Sequence, residues 1–156
     1  GLGVDNLLHF YQPNNNPEEL AILAAFEQHT NIQAHHIKPY ISSASAGLLK
    51  HFTGGYDHGI TVTCPGFYGP QGRVLRINTL QPDLNSQLQD FEYEGARITN
   101  FEMETSGYYA MGRLLGHEVL SLNAIIANRI TQEFTKDAYG IVDKLIQHTL
   151  KKLADN

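Results

Sequence analysis

The stretch Gly59-Ile60-Thr61-Val62-Thr63-Cys64 runs straight into Pro65-Gly66-Phe67-Tyr68-Gly69-Pro70-Gln71-Gly72-Arg73. Its reading decides the architecture. The first six residues are dominated by β-branched side chains, which suit a pleated, half-buried surface, so 59–64 reads as a strand. The residues after it are dense in Gly and Pro, which turn the chain, so 65–72 reads as a loop. A strand that ends in a constrained loop presenting Phe67, Tyr68, Gln71 and Arg73 is the arrangement by which open α/β sheets hold ligands beyond strand ends.

Working outward, helices alternate with strands. On the N-terminal side, Asn16 is a candidate N-cap with Pro17 at the first helical position. Glu18 and Glu19 suit the positive helix end. Leu20, Leu23, Ala24 and Phe26 predict an apolar stripe on this helix, which ends near Thr30. Residues 34–42 read as a strand weakened by Pro39. Residues 43–52 read as a short helix burying Leu48, Leu49 and Phe52, stopped by Gly54-Gly55. On the C-terminal side, 84–91 reads as a helix, 96–100 as a short strand, and 102–115 as a helix that Gly116 terminates. The apolar run 119–127 predicts a central buried strand. Residues 136–154 read as an amphipathic helix with Ile141, Leu145, Ile146, Leu150 and Leu153 at helical spacing. The alternation predicts an α/β fold, a mixed central β-sheet flanked by helices, with residues 1–156 as a single domain without internal repeats.

Composition excludes several classes. A chain of 156 residues that is 42% hydrophobic is long enough and apolar enough to bury a core. Its longest apolar runs fall short of a membrane span. Net charge is −5, and the 11 Lys and Arg are scattered, whereas a nucleic-acid backbone binder needs a basic stripe. One cysteine, Cys64, fits a reducing compartment and hence a cytoplasmic location. It reads as a packing residue rather than a nucleophile, because no base partner accompanies it in sequence. The histidines have no metal-ligand spacing, and His35-His36 would face opposite ways on a strand. The opening Gly1-Leu2-Gly3-Val4-Asp5-Asn6 lacks a start methionine. It leads into Leu7-Leu8-His9-Phe10-Tyr11, which is apolar and aromatic like the inside of a fold. The expectation is that the chain is the later part of a longer protein.

Three segments carry chemistry. In the first, the planar amide of Gln71 offers an acceptor and two donors, and Arg73 offers only donors. Together they match the carbonyl, N–H, carbonyl edge of a uracil ring, and Phe67 is able to stack on a base or sugar. The plainer reading is a surface loop whose Gly and Pro merely turn the chain. The second is Asn100-Phe101-Glu102-Met103-Glu104-Thr105. Acidic residues in a helix's first turn ordinarily favour the dipole. The alternation of Phe101 and Met103 with the two carboxylates predicts instead that one of them points inward, where vicinal sugar hydroxyls would satisfy it. In the third, the 119–127 run ends in Asn128-Arg129. A lone Arg there is ordinarily a surface residue, but polar groups after three strands of one sheet converge on one edge.

The three segments in order resemble the nucleoside phosphorylase superfamily, most closely its uridine phosphorylase branch. In that family an aromatic pair precedes a Gln-x-Arg, as in Phe67-Tyr68-Gly69-Pro70-Gln71-Gly72-Arg73. A Glu-Met-Glu-Ser/Thr stretch follows, as in Glu102-Met103-Glu104-Thr105. An Asn-Arg pair then ends a late strand, as in Asn128-Arg129. The resemblance spans nearly the whole chain and implies that it corresponds to the C-terminal part of such an enzyme. It implies phosphorolysis of uridine to uracil and ribose 1-phosphate, in nucleoside salvage. Catalytic roles fall to Arg73 and Arg129, and substrate binding to Phe67, Gln71, Arg73, Glu102, Met103, Glu104, Asn128 and Arg129.

The resemblance further implies inorganic phosphate as co-substrate and no cofactor or metal. It implies a homo-oligomer, and no nucleic-acid or membrane partner. In the family the phosphate site and a histidine lent by a neighbouring subunit lie N-terminal to the portion matched here. That N-terminal portion is therefore an expected partner of these residues. Purine-specific relatives carry an Asp at the late strand end, where this chain reads Ala127-Asn128-Arg129 with no Asp until Asp137; this favours a pyrimidine. A purine phosphorylase or nucleosidase of the same superfamily, and a catalytically silent nucleoside-binding fragment, stay open.

Overall fold

In the computed structural model, which describes residues 1–155, the 59–64 stretch forms strand β3 (Ile60–Thr63) at the centre of a five-stranded sheet. The sheet also contains β1 (Leu2–Gly3), β2 (Tyr40–Ile41), β4 (Glu92–Tyr93) and β5 (Ala96–Glu102), in the order β2-β1-β3-β5-β4. Both neighbours of β3 run parallel to it, with Leu2 opposite Val62 and Thr63 opposite Glu102. The outer pairs, β1 with β2 and β4 with β5, are antiparallel. The sheet is therefore mixed, as expected. The β4–β5 connection is a two-residue turn in which Glu94 and Gly95 both have positive φ, 48° and 83°. Those are the requirements of the turn whose twist matches a hairpin.

Side-chain alternation along β3 sorts the two faces. Ile60 and Val62 join Leu2, Val4, Phe26, Ile32, Cys64, Leu84, Leu88 and Phe91 in the main core. Helices α1 (Pro17–Thr30) and α3 (Leu84–Asp90) close this face, where Phe26 and Phe91 meet edge to face at 5.4 Å. Thr63 faces the other way, against α4 (Thr105–Leu114), and its α4 contact is a hydrogen bond from Ser106 N at 2.9 Å. Gly3 lies on that same face. A Cβ there would sit 2.3 Å from the Tyr40 ring, so only glycine lets β1 pass beneath it.

Local signals were strongest at α1. Asn16 caps it, with Glu19 N donating to Asn16 Oδ1 at 2.9 Å and Asn16 N to Glu19 Oε2 at 3.0 Å, a reciprocal capping box. Its buried stripe differs from the expected one. Leu20 and Ala24 face solvent, and Ile22, Ala25 and Phe26 pack on the core. Glu19 is also buried, at 1% exposure, because Arg113 of α4 grips it through both guanidinium nitrogens at 2.8 and 2.5 Å.

Several elements depart from expectation. The 34–42 strand shrinks to β2, because a 3-10 turn (Ile32–His35) precedes it and His36 takes a left-handed conformation at φ 62°. The 43–52 helix is split into α2 (Ala46–Leu49) and a 3-10 turn (Lys50–Phe52), and only Phe52 of its expected apolar side is fully buried. Residues 7–10 form an exposed 3-10 turn in which Leu8 alone is buried.

The run at 119–127 is not a central strand. Residues 119–126 lack strand pairing, and Ile125 and Ile126 are about half exposed. Only β6 (Ala127–Asn128) pairs, with β7 (Glu133–Phe134), in a separate two-stranded ribbon. Helix α5 (Ala138–Ala154) forms at the expected place, capped by Asp137, but none of its residues is fully buried. Among the described residues, no helix is long and apolar enough to cross a membrane.

Candidate active site

The loop after β3 tightens into a 3-10 turn (Gly69–Gln71) and leaves it through Gly72, whose φ of 69° is left-handed. This geometry turns the Gln71 side chain inward, to 3% exposure, while Phe67 and Tyr68 stay half exposed. Arg73 Nη1 donates to Gln71 Oε1 at 2.6 Å and also to the Phe67 carbonyl. Its guanidinium lies 3.6 Å from the Phe67 ring centroid, a cation–π contact.

Arg129, from the turn after β6, reaches the same glutamine. Its Nη2 donates to Gln71 Oε1 and its Nη1 to the Gln71 carbonyl at 3.1 Å. Its guanidinium stands 4.8 Å over the Phe101 ring. Burial, and then the neighbouring Arg73 charge, hold the Arg129 guanidinium below its ordinary pKa. Gln71 Nε2 donates to the Cys64 carbonyl through a long contact of 3.4 Å. Gln71, Arg73 and Arg129 are thus one cluster, although Arg129 comes from the ribbon rather than from a third strand of the main sheet.

The second segment ends β5, the strand beside β3. Glu102 is the inward carboxylate. Its Oε1 accepts from the Thr63 hydroxyl, and its Oε2 accepts from Glu104 N and Thr105 N at 2.7 Å each. Both oxygens thus accept hydrogen bonds from within the protein, which ties Glu102 to the start of α4. Glu104 is exposed and Met103 partly buried, both at the carboxyl end of β5. Asn128 uses its side-chain oxygen locally. Its Oδ1 accepts from Ile130 N at 2.9 Å and Thr131 N at 3.2 Å, closing the turn that carries Arg129. Asp137 caps α5 by accepting from Gly140 N at 2.9 Å.

Cys64 packs in the core, fully buried. Burial first, then the Asp5 charge, pushes its thiol up to about 12, which suits packing and not nucleophilic attack. Among the described residues, no group of three or more His, Cys, Asp or Glu is arranged to hold a metal. Sequence reading missed Thr63 and Phe101 as parts of this site. A signal was present. Thr61 and Thr63 alternate on one strand as Asn100 and Glu102 do on the next, and in register each threonine hydroxyl bonds the polar side chain opposite it.

No protein-family model matches the chain. A uridine phosphorylase of Thermococcus kodakarensis is 38% identical over 100 residues, 64% of this chain and 35% of that protein. A Trypanosoma brucei nucleoside phosphorylase, whose crystal structure is described as showing uridine phosphorylase activity, superposes with a TM-score of 0.84 at 22% identity. That match covers 99% of this chain and 56% of the other. The chain therefore has the nucleoside phosphorylase fold and is similar in sequence to a uridine phosphorylase. It spans about a third of that curated relative and just over half of the structural one.

Proposed function

We propose that these residues form the nucleoside-binding part of a uridine phosphorylase, which converts uridine and phosphate to uracil and ribose 1-phosphate in nucleoside salvage. The observation that carries this reading is the joint hold of Arg73 and Arg129 on Gln71 at the end of β3, beside the Glu102-Met103-Glu104 end of β5.

In this reading Arg129 keeps the Gln71 amide in a fixed plane. When a base enters, Arg73 exchanges its contacts to Phe67 and Gln71 for a carbonyl oxygen of the ring. The freed lone pair on Gln71 Oε1 then accepts the ring N–H, and Nε2, weakly held at 3.4 Å, donates to the other carbonyl. Phosphate attacks C1′, the bond from C1′ to the base nitrogen breaks, and its electron pair leaves with the base. Arg73, once turned to the ring carbonyl, stabilises the charge that develops there. Glu104 accepts from ribose hydroxyls, and its charge favours a cationic sugar. Phosphate is held by a portion of the protein other than these residues, and by a neighbouring subunit where the assembly supplies one. The absence of an Asp beside Arg129, with Asp137 engaged as a helix cap, favours a pyrimidine over a purine.

The test is release of free base by the protein that carries this chain. Uracil freed from uridine only when phosphate is present is the expected result. Release of hypoxanthine from inosine in preference to uracil, or release without phosphate, would overturn it.

A further inference from the structure

Thr63 closes β3 and Glu102 closes β5, directly opposite in register. Thr63 is 2% exposed, and its hydroxyl donates to Glu102 Oε1 and accepts from Ser106 N at 2.9 Å. The other Glu102 oxygen takes Glu104 N and Thr105 N. One carboxylate therefore fixes the backbone from which Glu104 projects, and one hydroxyl fixes that carboxylate. Thr63 is also covalently next to Cys64, whose N donates to the Glu102 carbonyl at 3.0 Å and whose carbonyl accepts from Gln71 Nε2. An unbroken bonded path thus joins the Gln71 amide to the Glu104 backbone.

We infer that Thr63 and Glu102 are a positioning pair that sets Glu104 at a fixed place relative to the 64–73 loop, so that discrimination between ribose and deoxyribose depends on a hydroxyl that touches no substrate. The inference rests on the reading of Glu104 as the acceptor for ribose hydroxyls. A helix cap with a purely structural role would predict something different. Its loss would lower stability and slow all substrates alike. Loss of a positioning pair lowers the preference for uridine over 2′-deoxyuridine, because only the former offers the hydroxyl that a displaced Glu104 no longer meets.

The experiment measures kcat/KM for uridine and 2′-deoxyuridine in the full-length protein, for wild type, Glu104→Gln, Thr63→Val, Thr63→Ser and the double variant Thr63→Val/Glu104→Gln. A hydrogen bond to a charged acceptor is worth about tenfold or more, and Gln keeps one neutral acceptor oxygen while turning the other into a donor, so Glu104→Gln should reduce the uridine preference by up to about that factor. Thr63→Val should reduce it in the same direction and Thr63→Ser should restore it. Thr63→Val should add nothing once Glu104 is Gln.

If Thr63→Val slows both nucleosides equally, or lowers the preference further in the Glu104→Gln background, the pair does not act through Glu104 and the inference falls. If Glu104→Gln itself leaves the preference unchanged, the reading of Glu104 falls instead. Should Thr63→Val fail to fold, Glu102→Gln, which keeps the shape of the side chain, is read by the same ratio.

Discussion

Arg73 and Arg129 donate to one and the same atom, Oε1 of Gln71. Two guanidinium groups do not share a hydrogen-bond acceptor without a cost, since each raises the energy of the other's charge. The arrangement is tolerated because each guanidinium also has a second carbonyl and an aromatic face, Phe67 for Arg73 and Phe101 for Arg129. A planar fork of donors makes this geometry available to arginine and not to lysine.

From that relationship, Arg73→Ala should leave the fold intact, because Arg129 still holds Gln71 through two bonds. It should reduce kcat/KM for uridine by about 10²–10³-fold, the usual effect of removing one preorganised donor to developing charge. Steady-state kinetics beside a circular dichroism spectrum check both halves, and a rate close to wild type would remove Arg73 from base recognition.

The Glu19–Arg113 ion pair should govern acid stability. Burial alone would raise the Glu19 pKa. The Arg113 guanidinium and the N–H groups of Asn16 and Ser43 more than offset it, holding the carboxyl at about 2 against an ordinary 4.5. A depressed carboxyl stabilises the fold above its unfolded pKa and loses that contribution as pH falls from about 4.5 through about 2. Arg113→Ala leaves a buried carboxylate without its counter-charge, held only by N–H donors, and should cost up to about 3–5 kcal/mol at neutral pH. Urea titrations of both proteins at pH 7 and pH 3 test this. The gap between their midpoints should narrow in acid, and a gap independent of pH would show that Glu19 is not the group responsible.

Cys64 should resist alkylation in the native protein. With the thiol buried and pushed up to about 12, almost no thiolate exists at pH 8. Iodoacetamide should add no mass under native conditions and one carbamidomethyl group in urea. Rapid native labelling would instead mean that the end of β3 opens readily.

Much of this molecule was legible because its signals were local. Asn16-Pro17 announced α1 and the β-branched run announced β3. Glycine and proline announced the loop that carries Gln71 and Arg73. The reading failed where composition stood in for a partner. Residues 119–127 are as apolar as a central strand, but a strand exists only through the ladder beside it, and 119–126 have none among the described residues. The helical spacing of α5 was right, yet spacing defines a face and not what lies against it, and no α5 residue is fully buried.

The sequence by itself determined the α/β alternation, the capped first helix, the strand-to-loop junction at Cys64 and the set of polar residues available for chemistry, because each depends on neighbours in the chain. Only the tertiary structure decided what those residues do. It put Glu102 inward and Glu104 outward, since the choice turns on Thr63 opposite in the sheet. It turned Asn128 to its own turn and brought Arg129 onto Gln71. It paired Glu19 with Arg113 across most of the chain. Apart from the Asn128 turn, each outcome is fixed by a group distant in sequence, and burying a polar side chain costs least where the fold brings it such a partner.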